Sequence, residues 1–449
     1  MFRSSKHDFS PRLGFNWDPF KKGTTSVRGG FSILYDQVEA WYLVFGAGEE
    51  PPFANSLTIF GEPWPFNPAT VQPTGPNIGN CVQTVSGLQC PGFPQLLPSK
   101  IPNTPTKYGY NLMVQHELPK HLSLLIGYVG ALGRHLSRTY NADQEYPIAV
   151  VSPGTGNCTA IWSVTCLEFR NGLTPEPKAA LINPNFGNSV SGIVFDANSV
   201  YNSLQTTLER RTASGLTLRL NYTYSSCIAD ASDDENGAEQ NVSAALMYTR
   251  VRTSSRGYCS FNATDSANFN FNYLIPLGQS FHGVAKALVT GWQLSSLTSV
   301  SSGVPLGVGL GFNNSGAAFS GGGTDRPNLV AGCTPQNATN PGNPNDYIKA
   351  SCFSIPPKGY FGNLVTGFLR SPTLWTTDVS LKKEFTMKRE GMGLELRADM
   401  FNMFNRVNFA GPANSSVYTS SGTLNGTFGL ITRTIGTSRQ IQIGARFQF

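Results

Sequence analysis

The sequence predicts an all-β protein, a transmembrane antiparallel β-barrel with long loops on one side of the membrane and short turns on the other. Three observations predict it. The chain ends on a run in which Ile441, Ile443, Ala445, Phe447 and Phe449 alternate with Gln440, Gln442, Arg446 and Gln448, the period-2 pattern of a strand with one apolar face. Only 13% of the 449 residues are charged, about half the ~25% of a typical soluble domain. Yet mean hydropathy is slightly negative, and no window approaches the ~18 consecutive apolar residues that a membrane helix requires. A chain that faces lipid without membrane helices must cross with closed sheets, because every backbone group in hydrocarbon needs an internal partner.

The alternating segments come in pairs. Leu13, Phe15 and Trp17 alternate with Arg12, Gly14, Asn16 and Asp18; after Lys21-Lys22-Gly23, Val27, Phe31, Ile33 and Tyr35 alternate with Arg28, Gly30 and Ser32. A tight hairpin is the natural link. Tyr108, Tyr110, Leu112 and Val114 alternate with Lys107, Asn111, Gln115 and Glu117, and Pro119-Lys120-His121 turns that strand into Leu122, Leu124, Ile126 and Tyr128. Leu125 and Val129 spoil the alternation there. Leu204, Thr206 and Leu208 lead through Ala213-Ser214-Gly215 to Leu216, Leu218, Leu220, Tyr222 and Tyr224. Phe269, Phe271, Tyr273 and Ile275 follow, then a longer turn and a strand from Gly291-Trp292 to roughly Leu306. Trp375, Thr377, Val379 and Leu381 pass through Lys388-Arg389-Glu390-Gly391 to Leu394, Leu396, Ala398 and Met400, and the terminal strand brings the set to about eleven.

Loop length alternates as regularly as the side chains. Connections between pairs run from Gln37 to Pro105, Ser137 to Val200, Cys227 to Thr264, Gly307 to Pro372 and Arg406 to Thr437, whereas the links within pairs are a few residues long. Such loops argue against a compact soluble domain and suit a barrel with short periplasmic turns and long extracellular loops. An odd count of antiparallel strands does not close on itself without a parallel seam, so further strands are expected upstream. The first residues, Met1 to Asp8, hold no apolar signal-peptide core, and a barrel without one is expected to be a fragment.

The eight cysteines, Cys81, Cys90, Cys158, Cys166, Cys227, Cys259, Cys333 and Cys352, fall in or at the edges of the long loops. Four local pairs are the simplest connectivity, closing loops worth roughly 2–4 kcal/mol each in segments expected to lack a core. They imply an oxidising compartment. Zinc is disfavoured: no Cys-x2-Cys occurs and none of the five histidines lies near a Cys pair. The net charge of +6 is spread thinly, without a basic block beyond pairs such as Lys21-Lys22, Arg210-Arg211 and Lys382-Lys383, so no nucleic-acid partner is expected.

The face opposite the apolar band carries Arg28, Glu117, Arg219, Asp378, Lys382, Glu395, Arg397, Asp399 and Arg446. These point to the lumen whatever the function, since a charge on the lipid face costs about 2–4 kcal/mol at midplane; a solute or a plug could meet them there. Trp17, Tyr35, Tyr128, Trp292 and Trp375 read as an interfacial girdle. Asp230, Asp233, Asp234 and Glu235 cluster between Cys227 and Cys259, a weak Ca²⁺ candidate set against a plain solvated loop. Catalysis finds no support: His7, His116, His121, His135 and His282 stand in no recognisable motif with a nucleophile and an orienting acid. No cofactor is expected.

Several segments together resemble a known family. Ser26-Val27-Arg28-Gly29-Gly30-Phe31 with Tyr35-Asp36, Gly127-Tyr128-Val129-Gly130 with Gly133-Arg134-His135-Leu136, and Tyr201-Asn202-Ser203-Leu204-Gln205 occur in order, followed by Arg326-Pro327-Asn328-Leu329 and Arg397-Ala398-Asp399-Met400-Phe401-Asn402-Met403-Phe404-Asn405 with Asn408-Phe409. This series resembles the C-terminal half of Oar-like TonB-dependent outer-membrane receptors, large proteins abundant in acidobacteria. The resemblance implies a 22-stranded barrel plugged by an N-terminal domain, of which residues 1–449 would supply about eleven strands. It also implies that Phe449, with Phe447 and Ile443, is the signal read by the barrel-assembly machinery. The implied partners are outer-membrane lipid, that machinery, and a TonB complex acting through a plug not in this chain. The implied function is uptake of a large or scarce solute such as a peptide, oligosaccharide or chelate across the outer membrane of a Gram-negative bacterium. The alternative from another class is a surface-exposed structural or adhesive protein that binds partners through its loops.

Overall fold

The computed structural model describes residues 8–36, 82–84, 87–89, 103–141, 144, 146–155, 157–158, 163–169, 191–211, 215–230, 248, 250–278, 280–317, 325–386 and 392–449. Eleven strands form one antiparallel path in which each pairs with the next: β1 Arg12–Trp17, β2 Thr25–Tyr35, β3 Thr106–Leu118, β4 Leu122–Asn141, β5 Ser191–Arg211, β6 Leu216–Ala229, β7 Asp265–Leu274, β8 Trp292–Ser301, β9 Leu374–Thr386, β10 Gly393–Phe401 and β11 Gln440–Gln448. The short strand Gly257–Tyr258 adds to the end of β6. Among the described residues, no strand pairs with the free edge of β1 or of β11. No described helix is long and apolar enough to cross a membrane.

The register carries a single apolar face across all eleven strands. Directly opposed residues point to the same side, and the pairs run Trp17↔Val27, Val27↔Val114, Val114↔Ile126, Tyr128↔Leu204, Leu208↔Leu220 and Leu220↔Phe269. They continue through Tyr273↔Leu294, Leu294↔Leu381, Leu381↔Ala398 and Ala398↔Ile443. A slip of one residue anywhere would invert the faces of every strand beyond it. Leu13, Phe15, Leu112, Ile126, Tyr224, Ile443 and Phe447 on this face are exposed, as side chains in contact with lipid must be. The irregular alternation of β4 is resolved here. Leu125 stands opposite Gln115 and Thr207, and Val129 opposite Asn111 and Ser203, so both are apolar residues on the polar face.

Three expectations need correction. The loop expected from Ser137 to Val200 is partly strand: β4 and β5 have 20 and 21 residues and stay paired to Asn141↔Ser191. At ~3.3 Å per residue each extends to about 65 Å, well beyond the ~9–11 residues a spanning strand needs. The pattern hides this because the pairing shifts register between Gly133 and Leu136 and again at Ser137, with His135 left-handed at φ +55°. Above the irregularity Arg138 grips Asp196 with Nε and Nη2 at 2.5 and 2.9 Å. Secondly, Cys227 lies within β6 opposite Tyr201, not at a loop edge.

Thirdly, the loops do not lack a core. Leu306, Val308, Tyr347, Ile348, Phe353, Leu369, Val417 and Phe428 form one buried cluster, and Val164, Phe169, Tyr248, Ala317 and Phe361 another. The spanning sheet buries little because lipid faces one side of it and the lumen the other, so the loop residues supply the packed interior. Disulfides Cys158–Cys166, Cys227–Cys259 and Cys333–Cys352 tie this layer with sequence separations of 8, 32 and 19. These are three of the expected local pairs; Cys81 and Cys90 lie outside the described residues, as do the turns at Ala213-Ser214 and Lys388-Gly391.

Candidate solute-facing surface

The polar face is built by the same register that builds the apolar one. Lys382 on β9 faces Arg397 on β10, and Glu395 faces both Glu384 on β9 and Arg446 on β11. Lys382 Nζ lies 2.8 Å from Glu395 Oε2 and 3.8 Å from Glu384 Oε2, while Arg397 Nε lies 2.7 Å from Asp399 Oδ1. Five of the expected lumen residues, Lys382, Glu395, Arg397, Asp399 and Arg446, thus gather on the last three strands as a mixed-charge patch. Asp378 is used differently, its Oδ1 accepting the Asn402 amide at 2.9 Å. Arg28 stands apart on β2, donating to Ser26 Oγ at 3.0 Å and Gln115 Oε1 at 2.5 Å. Arg219 on β6 donates to Asn221 Oδ1 at 3.2 Å, and Glu117 lines a small cavity with Lys120 and Glu209 at a periplasmic turn. The alternating charge makes this wall wettable without a strong single-sign field.

Above it, two segments singled out by the sequence prove to be structural joints. In Arg397–Asn405, Asn402 and Asn405 adopt left-handed backbone at φ +47° and +50°, which Asn tolerates better than most residues. Asn402 Nδ2 donates to Arg406 O at 3.0 Å and Thr437 O at 3.1 Å, and its Oδ1 accepts the Arg406 amide at 2.9 Å. Asn408 accepts the Trp375 amide at 2.9 Å and donates to the Trp375 carbonyl at 3.0 Å. Asparagine side chains here replace ladder partners, fastening the extracellular ends of β9, β10 and β11. In Gly127–Gly130, Gly130 is required because a Cβ there would sit 2.2 Å from the Tyr110 ring. That close approach lets the Tyr110 and Tyr128 hydroxyls both donate to Asn202 Oδ1, at 3.4 and 2.6 Å.

The loop layer holds charged groups that sequence reasoning did not place. Asp325 is fully buried, its carboxylate accepting the Ser315 amide at 2.5 Å and the Ser315 hydroxyl at 3.1 Å. Burial pushes this carboxyl up to about 6, against those two bonds and the neighbouring Arg326 charge, which pull it down. Arg326 is buried beside it and donates to Thr366 Oγ1 at 2.7 Å and to the Ser254 carbonyl. Burial lowers its guanidinium to about 10, so it stays charged at neutral pH. Asn328, two residues on, donates to Asn157 Oδ1 at 2.6 Å and accepts the Asn363 amide at 3.0 Å. The one available signal was the segment Arg326-Pro327-Asn328-Leu329, whose compactness gave no hint of burial.

Asp230 does not stand free as a Ca²⁺ ligand. Its carboxylate is buried and clamped by Arg252 Nη1, by Arg256 Nη1 at 2.7 Å and by the Asn198 amide at 3.0 Å. Asp233, Asp234 and Glu235 lie outside the described residues, and among those described no group of three or more His, Cys, Asp or Glu gathers as a metal site. A cavity of about 850 Å³ opens at the extracellular ends of β7 to β9, lined among others by Asp265, Ser302, Tyr347, Arg370 and Arg406. Asp265 is opposite Tyr224 in the register of the apolar face, so this cavity sits at the rim of that face, away from the mixed-charge patch.

An antiparallel sheet with one apolar and one mixed-charge face, short turns at one end and folded loops at the other defines an outer-membrane β-barrel protein. The chain belongs to the outer membrane beta barrel domain family, whose profile matches residues 1–442, and its location is the outer membrane of a Gram-negative bacterium. Similar solved structures include the outer membrane transporter YddB from Escherichia coli, at 11% identity and TM-score 0.45, covering 98% of this chain and 40% of that one. A mutant of the ferric enterobactin receptor PfeA from Pseudomonas aeruginosa covers the same shares at 11% identity and TM-score 0.43. The ferripyoverdine-bound receptor of Pseudomonas aeruginosa shares 10% identity at TM-score 0.40, covering 98% of this chain and 33% of that one. The chain therefore spans well under two thirds of these proteins. No curated protein matches it.

Proposed function

We propose that the chain is the C-terminal half of an Oar-like TonB-dependent receptor barrel, which takes up a large or scarce solute such as a peptide, oligosaccharide or chelate. The observation that carries this reading is the eleven-stranded antiparallel path, in which no strand among the described residues pairs with the outer edge of β1 or of β11. An open sheet with one lipid-facing side needs more strands to close, and a barrel of twice this count is wide enough to need a plug. In this reading the mixed-charge patch on β9 to β11 faces the plug and the solute. The plug, on a segment other than this one, meets the TonB complex, and Ile443, Phe447 and Phe449 present the signal to the barrel-assembly machinery. The protein acts by binding and translocation, not by catalysis. A surface-binding role is the second reading, favoured by the packed loop layer, which offers a fixed extracellular surface.

The test uses the full-length receptor gene expressed in a Gram-negative host, with labelled peptide, oligosaccharide and ferric chelate as probes. Energy-dependent accumulation of one probe, lost when the TonB complex is deleted, is the expected result. Surface binding without accumulation would favour the second reading and overturn uptake. For the assembly signal, Phe449→Ala should lower the heat-modifiable, outer-membrane fraction severalfold; an unchanged yield argues against that role.

A further inference from the structure

The link between β7 and β8 carries α1 (Gly283–Val289), which among the described residues is the single α-helix. Its end is well defined. Thr290 closes it, amide and hydroxyl both donating to Lys286 O at 2.9 and 2.8 Å, and Gly291 follows in the left-handed region at φ +77°. A Cβ on Gly291 would come 2.6 Å from the Glu384 carbonyl, so the chain turns tightly against β9 before entering β8.

The position of Lys383 fixes where this helix lies. Lys383 is opposite Trp292 and Leu396, hence on the apolar, outward face with Leu381 and Phe385. Its Nζ donates to Ala287 O at 2.7 Å, to Thr290 O, and to Glu384 O at 3.3 Å, and the residue is only 2% exposed. The ammonium stands 4.4 Å from the Phe385 ring and 5.8 Å from the Trp292 ring. Trp292 Nε1 donates to Leu288 O at 3.0 Å. A cation at this end of a helix meets the partial negative charge of its free carbonyls. The C-terminal turn of α1 is therefore held on the outer side of the wall, at its periplasmic rim, and not beneath the lumen.

The described part of the link carries exposed apolar side chains. Val284 and Leu288, four apart on one side of α1, are 76% and 56% exposed; Leu277 and Phe281 just before it are 52% and 47% exposed. Four large apolar side chains in water on so short a segment are costly, and this segment is continuous with the lipid-facing band through Trp292 and Phe385.

We propose that α1 is an in-plane membrane anchor, lying in the boundary between headgroups and acyl chains of the periplasmic leaflet, with Val284 and Leu288 against phospholipid and Lys383 pinning it to the barrel wall. The proposal rests on the membrane-barrel reading and specifies a contact that reading does not require. A lysine on a lipid-facing strand position becomes tolerable because it is spent on the helix carbonyls, and the helix in turn covers it.

The test places nitroxides by Val284→Cys, Lys286→Cys and Leu288→Cys in the full chain, native disulfides kept oxidised, in outer-membrane vesicles. Leu220→Cys, mid-band on the apolar face of β6, serves as reference. Power saturation should show positions 284, 288 and 220 more accessible to oxygen than to a nickel chelate, and position 286 the reverse. If 284 and 288 favour nickel while 220 favours oxygen, α1 stands in water or against a periplasmic protein and the anchor is refuted. If 220 favours nickel as well, the membrane reading itself fails. Lys383→Met keeps the stem between its rings and removes the charge; label mobility at 288 should rise severalfold. An unchanged spectrum overturns the pinning role.

Discussion

The buried carboxyl of Asp325 makes the loop layer pH-sensitive in a direction opposite to the usual acid denaturation. Asp325 and Ser315 have no exposed surface, and burial raises the folded-state carboxyl from 3.8 to about 6. Because the folded state holds the proton more tightly than the unfolded, its contribution is full below about pH 4 and is lost as pH rises through about 6. A shift of about two units corresponds to roughly 3 kcal/mol, undiscounted for screening because the group is dry. The assay is hydrogen exchange by mass spectrometry on segments covering 310–317 and 325–330, in vesicles, with intrinsic rates corrected at each pH. Protection should fall by about two orders of magnitude between pH 4 and 7 and level off above. Asp325→Asn mimics the protonated state: its carbonyl accepts the Ser315 amide, its Nδ2 donates to Ser315 Oγ, and that hydroxyl is free to donate to Asn313 Oδ1, now 3.4 Å away. The variant should be stable and nearly flat across the range. Protection that rises with pH, or a variant that keeps the wild-type slope, would falsify the argument.

Three further outcomes follow from contacts in the sheet. Gly130→Ala drives the Tyr110 ring off the strand and breaks its bond to Asn202; overpacking of this kind costs about 1–3 kcal/mol, read as a lower urea midpoint in vesicles, and an unchanged midpoint counts against the contact. Asn408→Ala leaves the Trp375 amide and carbonyl without the partners they have at 2.9 and 3.0 Å, a loss of roughly 1–3 kcal/mol that should appear as faster exchange at the start of β9 while β3 is unaffected. Arginine at Thr298, opposite Phe269 and Thr377 on the apolar face, should cost about 2–4 kcal/mol. Arginine at neighbouring Ser299 on the polar face should cost little, and equal effects would mean the faces are misassigned.

The strands were legible because each carries its own evidence: period 2 needs no knowledge of what lies across the sheet, and Leu216–Tyr224 and Gln440–Phe449 state it without interruption. Where a strand leaves the membrane that evidence weakens, so the projecting ends of β4 and β5 read as loop. The loop core was illegible for a related reason. Its ties cross the sequence, Gln144 Nε2 reaching Ala317 O and Asn157 Nδ2 reaching Phe361 O across 173 and 204 residues, and no local pattern records such pairings. Helix α1 is too short for a 3.6-residue period to register, and His282 provides no side-chain cap to mark its start. For the charged residues expected on the lumen side, alternation along one strand assigns a face but not the neighbours. That Lys382 meets Glu395 depends on the β9–β10 register, which no single strand contains.

The register also measures the membrane. Within the regularly alternating part of the sheet, ionisable side chains reach the apolar face near strand ends: His116, Arg210 and Lys383 at the periplasmic side, Arg134 and Asp265 at the other. Three of these are occupied locally, whereas Arg210 Nε is buried without a hydrogen-bond partner. His116 Nδ1 shares a hydrogen bond with Thr25 Oγ1 at 2.8 Å, Asp265 accepts the Tyr222 hydroxyl at 2.6 Å, and Lys383 caps α1. Between such marks the outward face is free of charge. On β9 a charge-free stretch runs from Trp375 to the charge at Lys383, on β5 from Asn202 to the charge at Arg210, and on β7 from the charge at Asp265 to Tyr273, about eight residues in each case and bounded by a charge at one end only. At ~3.3 Å per residue and a tilt of ~40° that is a band about 20 Å high, close to the ~25 Å apolar band of outer-membrane barrels. A chance alternation of polar and apolar residues would fix the face of each strand but not the level at which its charges stop. The charges stop the apolar face at two levels, His116, Arg210 and Lys383 on the periplasmic side and Arg134 and Asp265 on the other, as strands lying side by side against one hydrocarbon layer require.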